Sequence, residues 1–185
     1  MARTPSNMLP LGTLAPAFSL PDTVSGNTRN LKDVQGKKAT VVMFICNHCP
    51  FVKHVFEGIV DLAHDFQNRG VGFVAISSND VDNYPDDAPD KMTMVAKKEG
   101  FTFPYLYDET QEVAKAYDAA CTPDFYLFDA ELKLSYRGQL DDSRPENGIP
   151  VTGKDMRAAL ESTLNNETVA GLQKPSIGCN IKWKA

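Results

Sequence analysis

The chain has 185 residues, of which 42% are hydrophobic and 23% charged, and its formal net charge is −5. This length and composition are typical of one soluble globular domain that buries a substantial core without needing disulfide bonds. The acidic balance, without any lysine-rich or arginine-rich run, excludes a general nucleic-acid binder.

The amino-terminal segment lacks the apolar core of a secretory signal, and no apolar run reaches the ~18 residues that a membrane span needs. We therefore expect a cytoplasmic protein with no nucleic-acid or membrane partner. The four cysteines are Cys46, Cys49, Cys121 and Cys179. In a reducing compartment they indicate catalysis, metal binding or buried thiols rather than a disulfide scaffold.

The first half of the chain predicts a strand, a helix and a second strand, preceded by two short edge strands at 17–20 and 28–31. Residues 39–45 form a nearly unbroken β-prone apolar run, typical of a central strand buried on both faces. From Phe51 the apolar residues recur at spacings of three and four, which predicts a helix. Residues 71–77 form a second apolar strand, and a right-handed parallel crossover is the default for such a unit.

The second half predicts further helices and a β-hairpin, separated by polar loops. In order, these are a helix opened by Asp90, a strand at 105–107, a helix at 109–117, strands at 125–128 and 133–137, and a helix at 153–165. The tail after Ala170 shows no clear period. A parallel pair beside an antiparallel hairpin, with helices on both faces, predicts an α/β sandwich.

Cys46 and Cys49 lie between the central strand and the helix that follows it. Free N–H groups and the macrodipole at a helix N-terminus favour an anion, so a thiol there has a lowered pKa and supplies a thiolate nucleophile. We therefore predict that Cys46 lies at the helix N-terminus and attacks, and that Cys49, about one turn later, is the buried resolving thiol. His48 is interpreted as stabilising the Cys46 thiolate; the alternative is a surface histidine without a role.

Thr122 and Pro123 precede the predicted strand at 125–128. A proline that starts a strand in a tight loop is often cis, and we predict a cis bond here rather than an ordinary trans proline. Facing the cysteine pair, such a proline leaves the backbone of Thr122 able to pair with an extended substrate. Thr122 and Pro123 are therefore predicted to bind substrate.

The order of strand, Cys46-x-x-Cys49, helix and a later Thr122-Pro123 before a hairpin resembles the thioredoxin superfamily. The opening Gly12-x-x-Ala15-Pro16-x-Phe18-x-Leu20 resembles the peroxiredoxin-like (redoxin, alkyl hydroperoxide reductase/thiol-specific antioxidant) branch. Three further segments, 46–54, 137–139 and 175–183, are similar to a subgroup of uncharacterised thioredoxin-family proteins.

This resemblance covers roughly residues 11–183. It implies a thioredoxin-like three-layer α/β/α sandwich with a mixed central sheet and an N-terminal extension. It also implies a single thioredoxin-like (redoxin) domain over residues 1–185, with 171–185 as a C-terminal tail packed on it.

The sequence departs from both families near the cysteines. Thioredoxins carry a tryptophan before the first cysteine, where this chain has Ile45, and a buried aspartate that moves protons, where it has Thr40. Glu109, Asp124 or a water molecule are the alternative proton carriers. Peroxiredoxins carry a Thr-x-x-Cys pattern in which the cysteine attacks peroxide. In this chain Cys46 stands at the threonine position and Cys49 at the position of the peroxidatic cysteine. Arg137 is the candidate for the arginine that binds peroxide.

Three hypotheses follow for the function. The first is a thiol–disulfide oxidoreductase that forms a mixed disulfide with protein or small-molecule disulfides and is recycled by a thioredoxin- or glutathione-type reductant. The second is an antioxidant thiol-dependent peroxidase in which Cys49 or Cys46 becomes a sulfenic acid. The third is a zinc-binding or scaffold domain that uses the cysteines as ligands. We favour the first, with no cofactor and no metal.

Cys121 and Cys179 are less constrained by these patterns. Cys121 lies two residues before Pro123 and is either a third redox partner or, as we prefer, an inert buried thiol. Cys179 lies in the C-terminal tail, where it either folds back as a second resolving thiol or only packs. The sequence does not decide between these two roles for Cys179.

Overall fold

The computed structural model describes residues 3–185. Its strands are β1 (Thr4–Pro5), β2 (Ser19–Pro21), β3 (Thr28–Asn30), β4 (Ala39–Phe44), β5 (Val71–Ser77), β6 (Tyr105–Tyr107), β7 (Cys121–Thr122), β8 (Asp124–Asp129), β9 (Leu134–Gly138) and β10 (Ile177–Asn180). Its α-helices are α1 (Leu31–Val34), α2 (Pro50–Gln67), α3 (Pro89–Glu99), α4 (Glu112–Ala116) and α5 (Lys154–Leu164), and a short 3-10 helix spans Pro85–Asp87.

The central sheet is mixed and has the strand order β6-β5-β4-β8-β9. Strands β4, β5 and β6 run parallel, whereas β8 and β9 form an antiparallel hairpin whose first strand pairs with β4. This arrangement confirms the thioredoxin-like α/β/α sandwich with a mixed sheet. Within residues 3–185, no helix combines the length and apolar character required to cross a bilayer.

Strand β4 lies at the centre of the sheet because its side chains are apolar on both faces. Val41 and Met43 belong to the larger core, which includes buried residues of α2, α3 and α5. Val42 and Phe44 belong to the second core, which includes buried residues of α1 and α4. The alternation along one strand therefore produces the three layers and fixes the position of the loop that follows Phe44.

Helix α2 buries one face against the larger core, including Ile59, Leu62 and Phe66. We expect Leu62→Ala to lower the free energy of unfolding by about 2–5 kcal/mol, because the leucine is fully buried and its removal leaves a cavity. Guanidinium denaturation measures this change. Leu172→Ala is the matched control, since Leu172 is 92% exposed, and a surface change of this kind is worth at most about 0.5 kcal/mol.

The C-terminal tail contributes strand β10, which sequence periodicity did not predict. This strand lies between β1 and β7 in a small antiparallel sheet of order β1-β10-β7. Its register pairs Cys179 with Thr122 and Gly178 with Thr4. The tail is therefore hydrogen-bonded to the segment that leads directly into Pro123.

Candidate functional site

The cysteine pair lies in the loop between β4 and α2. Helix α2 begins at Pro50, and Cys49 is its N-cap residue. The prediction that Cys46 lies at the helix N-terminus is therefore wrong. Pro50 keeps Cys49 in an extended conformation, and the main-chain N–H groups of Asn47 and His48 donate to a carboxylate oxygen of Asp87, at 2.7 and 3.2 Å.

Cys46 and Cys49 are both buried, with 1% and 0% of their surfaces exposed. The pKa of Cys49 is lowered to about 5, because the Cys46 thiol, the Cys179 thiol and the N–H of Val52 stabilise its thiolate against the opposing effect of burial. The pKa of Cys46 is raised by its hydrogen bond to Cys49, by burial and by the charge of Asp87. Within the pair the pKa of Cys49 is thus lowered and that of Cys46 raised, the reverse of the order expected from the sequence.

The carboxylate of Asp87 organises the loop that carries the cysteines. It accepts hydrogen bonds from the side chains of His48 and Asn79, at 2.6 and 2.8 Å, in addition to the two main-chain N–H groups. The His48 and Asn79 hydrogen bonds help to hold its pKa below the usual value although the side chain is fully buried. Sequence analysis missed Asp87, because nothing distinguished it from the other aspartates of a polar loop.

His48 lies beside the cysteines and is partly exposed. Its Nδ1 atom is 2.6 Å from Asp87 Oδ2, and its ring stacks on Tyr84 with 5.6 Å between ring centroids. The hydrogen bond to Asp87 raises the pKa of His48. The imidazole is thus held in one orientation and favours its protonated form, which suits a proton donor.

Ligand atoms of Cys46, His48 and Asp87 lie within 4.8 Å of one another, the only such group of three or more among residues 3–185. These side chains are potential metal ligands by type and distance. The Asp87 carboxylate, however, already accepts hydrogen bonds from four donors. His48 and Asp87 are therefore already joined by a hydrogen bond, while Cys46 contacts the Thr122 hydroxyl.

Thr122 and Pro123 face the cysteine pair, and the peptide bond between them is cis, as predicted. The Thr122 hydroxyl lies 3.4 Å from Cys46 Sγ, and the Thr122 carbonyl oxygen lies 3.3 Å from Cys49 Sγ. The backbone of Thr122 was expected to be open to an extended substrate. In the structure it instead pairs with Cys179 of β10.

Cys179 is brought directly to the pair by this pairing. Its sulfur is 2.7 Å from Cys49 Sγ, and it is buried. Burial and the neighbouring Cys49 raise the pKa of Cys179 to about 12. A third thiol, with a raised pKa, therefore lies directly against Cys49.

The other accessory candidates lie elsewhere. The Cys121 thiol is 3.6 Å from the carbonyl oxygen of Pro123, and burial raises its pKa. Arg137 donates its Nε–H to the Leu9 carbonyl and an Nη1–H to the Gln173 side chain, at 2.8 and 2.7 Å. The guanidinium group proposed to bind peroxide is thus engaged in anchoring the N- and C-terminal segments.

Glu109 and Asp124, the two carboxylates suggested as proton carriers, lie in different environments. Glu109 is exposed. Asp124 is buried, accepts hydrogen bonds from Ser6 and Tyr126, and has its pKa raised to about 6 by burial. The carboxylate whose charge raises the pKa of Cys46 is that of Asp87.

An open groove of about 450 Å³ adjoins this loop beside His48. Lys53, Lys91 and Lys98 contribute to its walls, together with Asn47. Since His48 is partly exposed there, the groove gives a small molecule a path to the histidine.

Comparison with known proteins was consistent across sequence and structure. Residues 11–137 match the AhpC/TSA family. The curated protein peroxiredoxin Bcp of Escherichia coli (strain K12) is 32% identical over 154 residues, which cover 76% of this chain and 91% of that protein.

Two crystal structures are also similar. An uncharacterized conserved protein from Geobacillus kaustophilus is 62% identical, with a TM-score of 0.97, over 100% of this chain and 97% of that chain. The thioredoxin domain of a thiol-disulfide oxidoreductase from Bacteroides vulgatus is 18% identical, with a TM-score of 0.61, over 80% of this chain and 97% of that domain. The second similarity concerns the fold alone.

Proposed function

The chain belongs to the AhpC/TSA family and has a thioredoxin-like fold, and from that premise we propose that it is a thiol–disulfide oxidoreductase whose redox centre is the Cys46–Cys49 pair. The observation that carries the proposal is that Cys46 and Cys49 are buried beside the cis Thr122–Pro123 bond, with Cys49 as the N-cap residue of α2 and its pKa lowered by the Cys46 thiol. A stabilised thiolate next to a second thiol is the arrangement that disulfide exchange requires.

The reaction begins when the Cys49 thiolate attacks a disulfide RS–SR, which forms a Cys49–S–S–R mixed disulfide and releases RS⁻. His48, whose pKa is raised by Asp87, is placed to supply a proton to that leaving thiolate. Cys46 then loses its proton and attacks Cys49 Sγ, so a Cys46–Cys49 disulfide forms and the second RS⁻ leaves. The protein has lost two electrons and the substrate has gained them.

The substrates proposed here are protein or small-molecule disulfides. The reduced pair is regenerated by a dithiol or glutathione-type reductant through the reverse exchange. We also propose a cytoplasmic location, because a reducing compartment maintains the dithiol form.

A thiol-dependent peroxidase is the second candidate, because the family includes peroxiredoxins and Cys49 combines a lowered pKa with the helix N-terminus. In that reaction Cys49 attacks a peroxide and becomes a sulfenic acid, which Cys46 condenses to a disulfide with loss of water. The position of Arg137 favours the first candidate, since its guanidinium group donates to Leu9 and Gln173.

Equilibration in glutathione redox buffers, followed by acid trapping and mass spectrometry, tests the proposal. In Cys179→Ala we expect a Cys46–Cys49 disulfide whose population follows the glutathione ratio, together with slow consumption of one equivalent of hydrogen peroxide. Cys179→Ala is used beside the wild type so that the pair is observed alone. Peroxide consumption within seconds, with a sulfenic acid on Cys49 in Cys46→Ser/Cys179→Ala, would instead establish the peroxidase.

A further inference from the structure

Strand β10 occupies the backbone edge of Thr122, next to the cis proline. Its register places Cys179 opposite Thr122 and leaves the Cys179 and Cys49 sulfurs 2.7 Å apart. Residue 178 is glycine, and a Cβ there would collide with the carbonyl group of Thr122. The close approach of this strand thus depends on one residue without a side chain.

We infer that Cys179 is a third redox residue of this centre, which takes over the disulfide from Cys46 by exchange at Cys49, so that β10 acts as a tethered internal partner. The inference rests on the proposed function, because it needs a Cys46–Cys49 disulfide to start from. It extends that function, since the disulfide moves from the helix N-terminus onto the C-terminal segment.

The exchange needs no further oxidant or reductant. The Cys179 sulfur attacks Cys49 Sγ, the Cys49–Cys179 bond forms and the Cys46–Cys49 bond breaks. Cys46 leaves as a thiolate and receives the proton that Cys179 gives up. One disulfide and one thiol are present before and after, so atoms and electrons balance.

Geometry favours this exchange over reaction with an external thiol. Cys179 is held by main-chain pairing at contact distance from the sulfur that it attacks, so no diffusional encounter is required. The product has two consequences: Cys46 is a thiol again, and β10 is covalently attached to the N-terminus of α2.

Tryptic peptides separate the cysteines in a way that suits the test. Cys46 and Cys49 fall together in 39–53, Cys121 in 116–133 and Cys179 in 158–182. The full-length reduced protein is oxidised with one equivalent of glutathione disulfide, quenched in acid, alkylated and digested. A Cys46–Cys49 disulfide leaves 39–53 as one peptide lighter by two hydrogens, whereas a Cys49–Cys179 disulfide joins 39–53 to 158–182.

In the wild type we expect the joined peptide with Cys46 alkylated. In Cys46→Ala, Cys179 is the thiol of the centre that is left to pair with Cys49. We therefore expect the joined peptide as the main oxidised product of this variant. Gly178→Ala is expected to lower the yield of the joined peptide at least severalfold, because the added methyl group displaces β10 from Thr122. Circular dichroism is expected to show that this variant is folded. Cys121→Ala, a matched loss of a buried thiol, is expected to leave the yield unchanged.

The two proposals fail in different ways. If Cys46→Ala retains a glutathione adduct on Cys49 and the joined peptide is absent, the role of Cys179 is overturned while the Cys46–Cys49 chemistry stands. If Cys179→Ala forms no Cys46–Cys49 disulfide in any glutathione buffer, the proposed function itself is overturned.

Discussion

Replacing Cys49 by serine is expected to reduce the rate of disulfide reduction by about 10³-fold or more, the scale of loss when an enzyme loses its nucleophile. The pKa of Cys49 is lowered, largely by the Cys46 thiol, and its sulfur lies 2.7 Å from Cys179 Sγ. Reduction of a chromogenic disulfide measures the rate. Cys121→Ser is the control for loss of a buried thiol.

The same residue sets an expected pH dependence. With a pKa of about 5, Cys49 stays a thiolate across neutral pH, so its ultraviolet thiolate absorbance is lost only as the pH falls through about 5. The unfolded chain has a cysteine pKa near 8.5. Ionisation therefore stabilises the reduced fold fully above about pH 8.5, and this contribution declines toward pH 5.

Three measurements test whether Cys49 is the attacking thiolate. Cys46→Ala is expected to raise the apparent pKa of Cys49, because the Cys46 thiol is the largest stabiliser of the Cys49 thiolate. An absorbance transition near the ordinary cysteine pKa in the wild-type protein would place the thiolate elsewhere. Full activity in Cys49→Ser would exclude Cys49 as the attacking sulfur.

Removing the Asp87 carboxylate is the second change with a large expected effect. Asp87→Ala leaves two main-chain N–H groups and the side chains of His48 and Asn79 without their acceptor. Because Asp87 is fully buried, we expect a loss of about 2–4 kcal/mol in the free energy of unfolding. Denaturant titration at neutral pH measures it.

Asp87→Asn separates charge from shape, because the amide keeps one acceptor oxygen and a similar volume. We expect the pKa of His48 to fall toward its usual value in this variant, since the carboxylate is the main cause of its rise. NMR titration of the His48 ring measures the shift. An unchanged His48 pKa would show that the ion pair with Asp87 does not control the histidine.

His48 and Asp87 contribute to the free energy of unfolding with opposite dependence on pH. The raised pKa of His48 means that its stabilising contribution is complete below pH ~6.5 and is lost as the pH rises through the folded-state pKa. The lowered pKa of Asp87 means that its contribution is complete above pH ~4 and is lost as the pH falls through its folded-state value. The pair is therefore most stabilising in the mildly acidic range between these limits.

Sequence patterns were sufficient for the five strands of the central sheet and for placing the cysteine pair between β4 and α2, although not for placing Cys46 at the helix N-terminus. The apolar residues of β4, α2 and β5 recur at spacings that identify the buried faces of each element. This pattern can be read from a short segment of sequence, because it depends only on the period of the strand or helix. The cis bond before Pro123 also followed from its place at the start of a strand in a chain that carries a Cys-x-x-Cys unit upstream, whereas the strand start alone left cis and trans equally open.

Tertiary structure decided the chemistry of the site. Asp87 reaches the cysteine loop from a separate 3-10 helix and accepts hydrogen bonds from the main-chain N–H groups of Asn47 and His48. Strand β10 has four residues, including a glycine, and its pairing with Thr122 leaves no periodic signal in the tail. Local sequence encodes which side chains are buried, but which distant segments meet is decided only when the whole chain packs. The sequence by itself thus determined the fold and the place of the cysteine pair in it, while packing determined which third thiol lies against that pair.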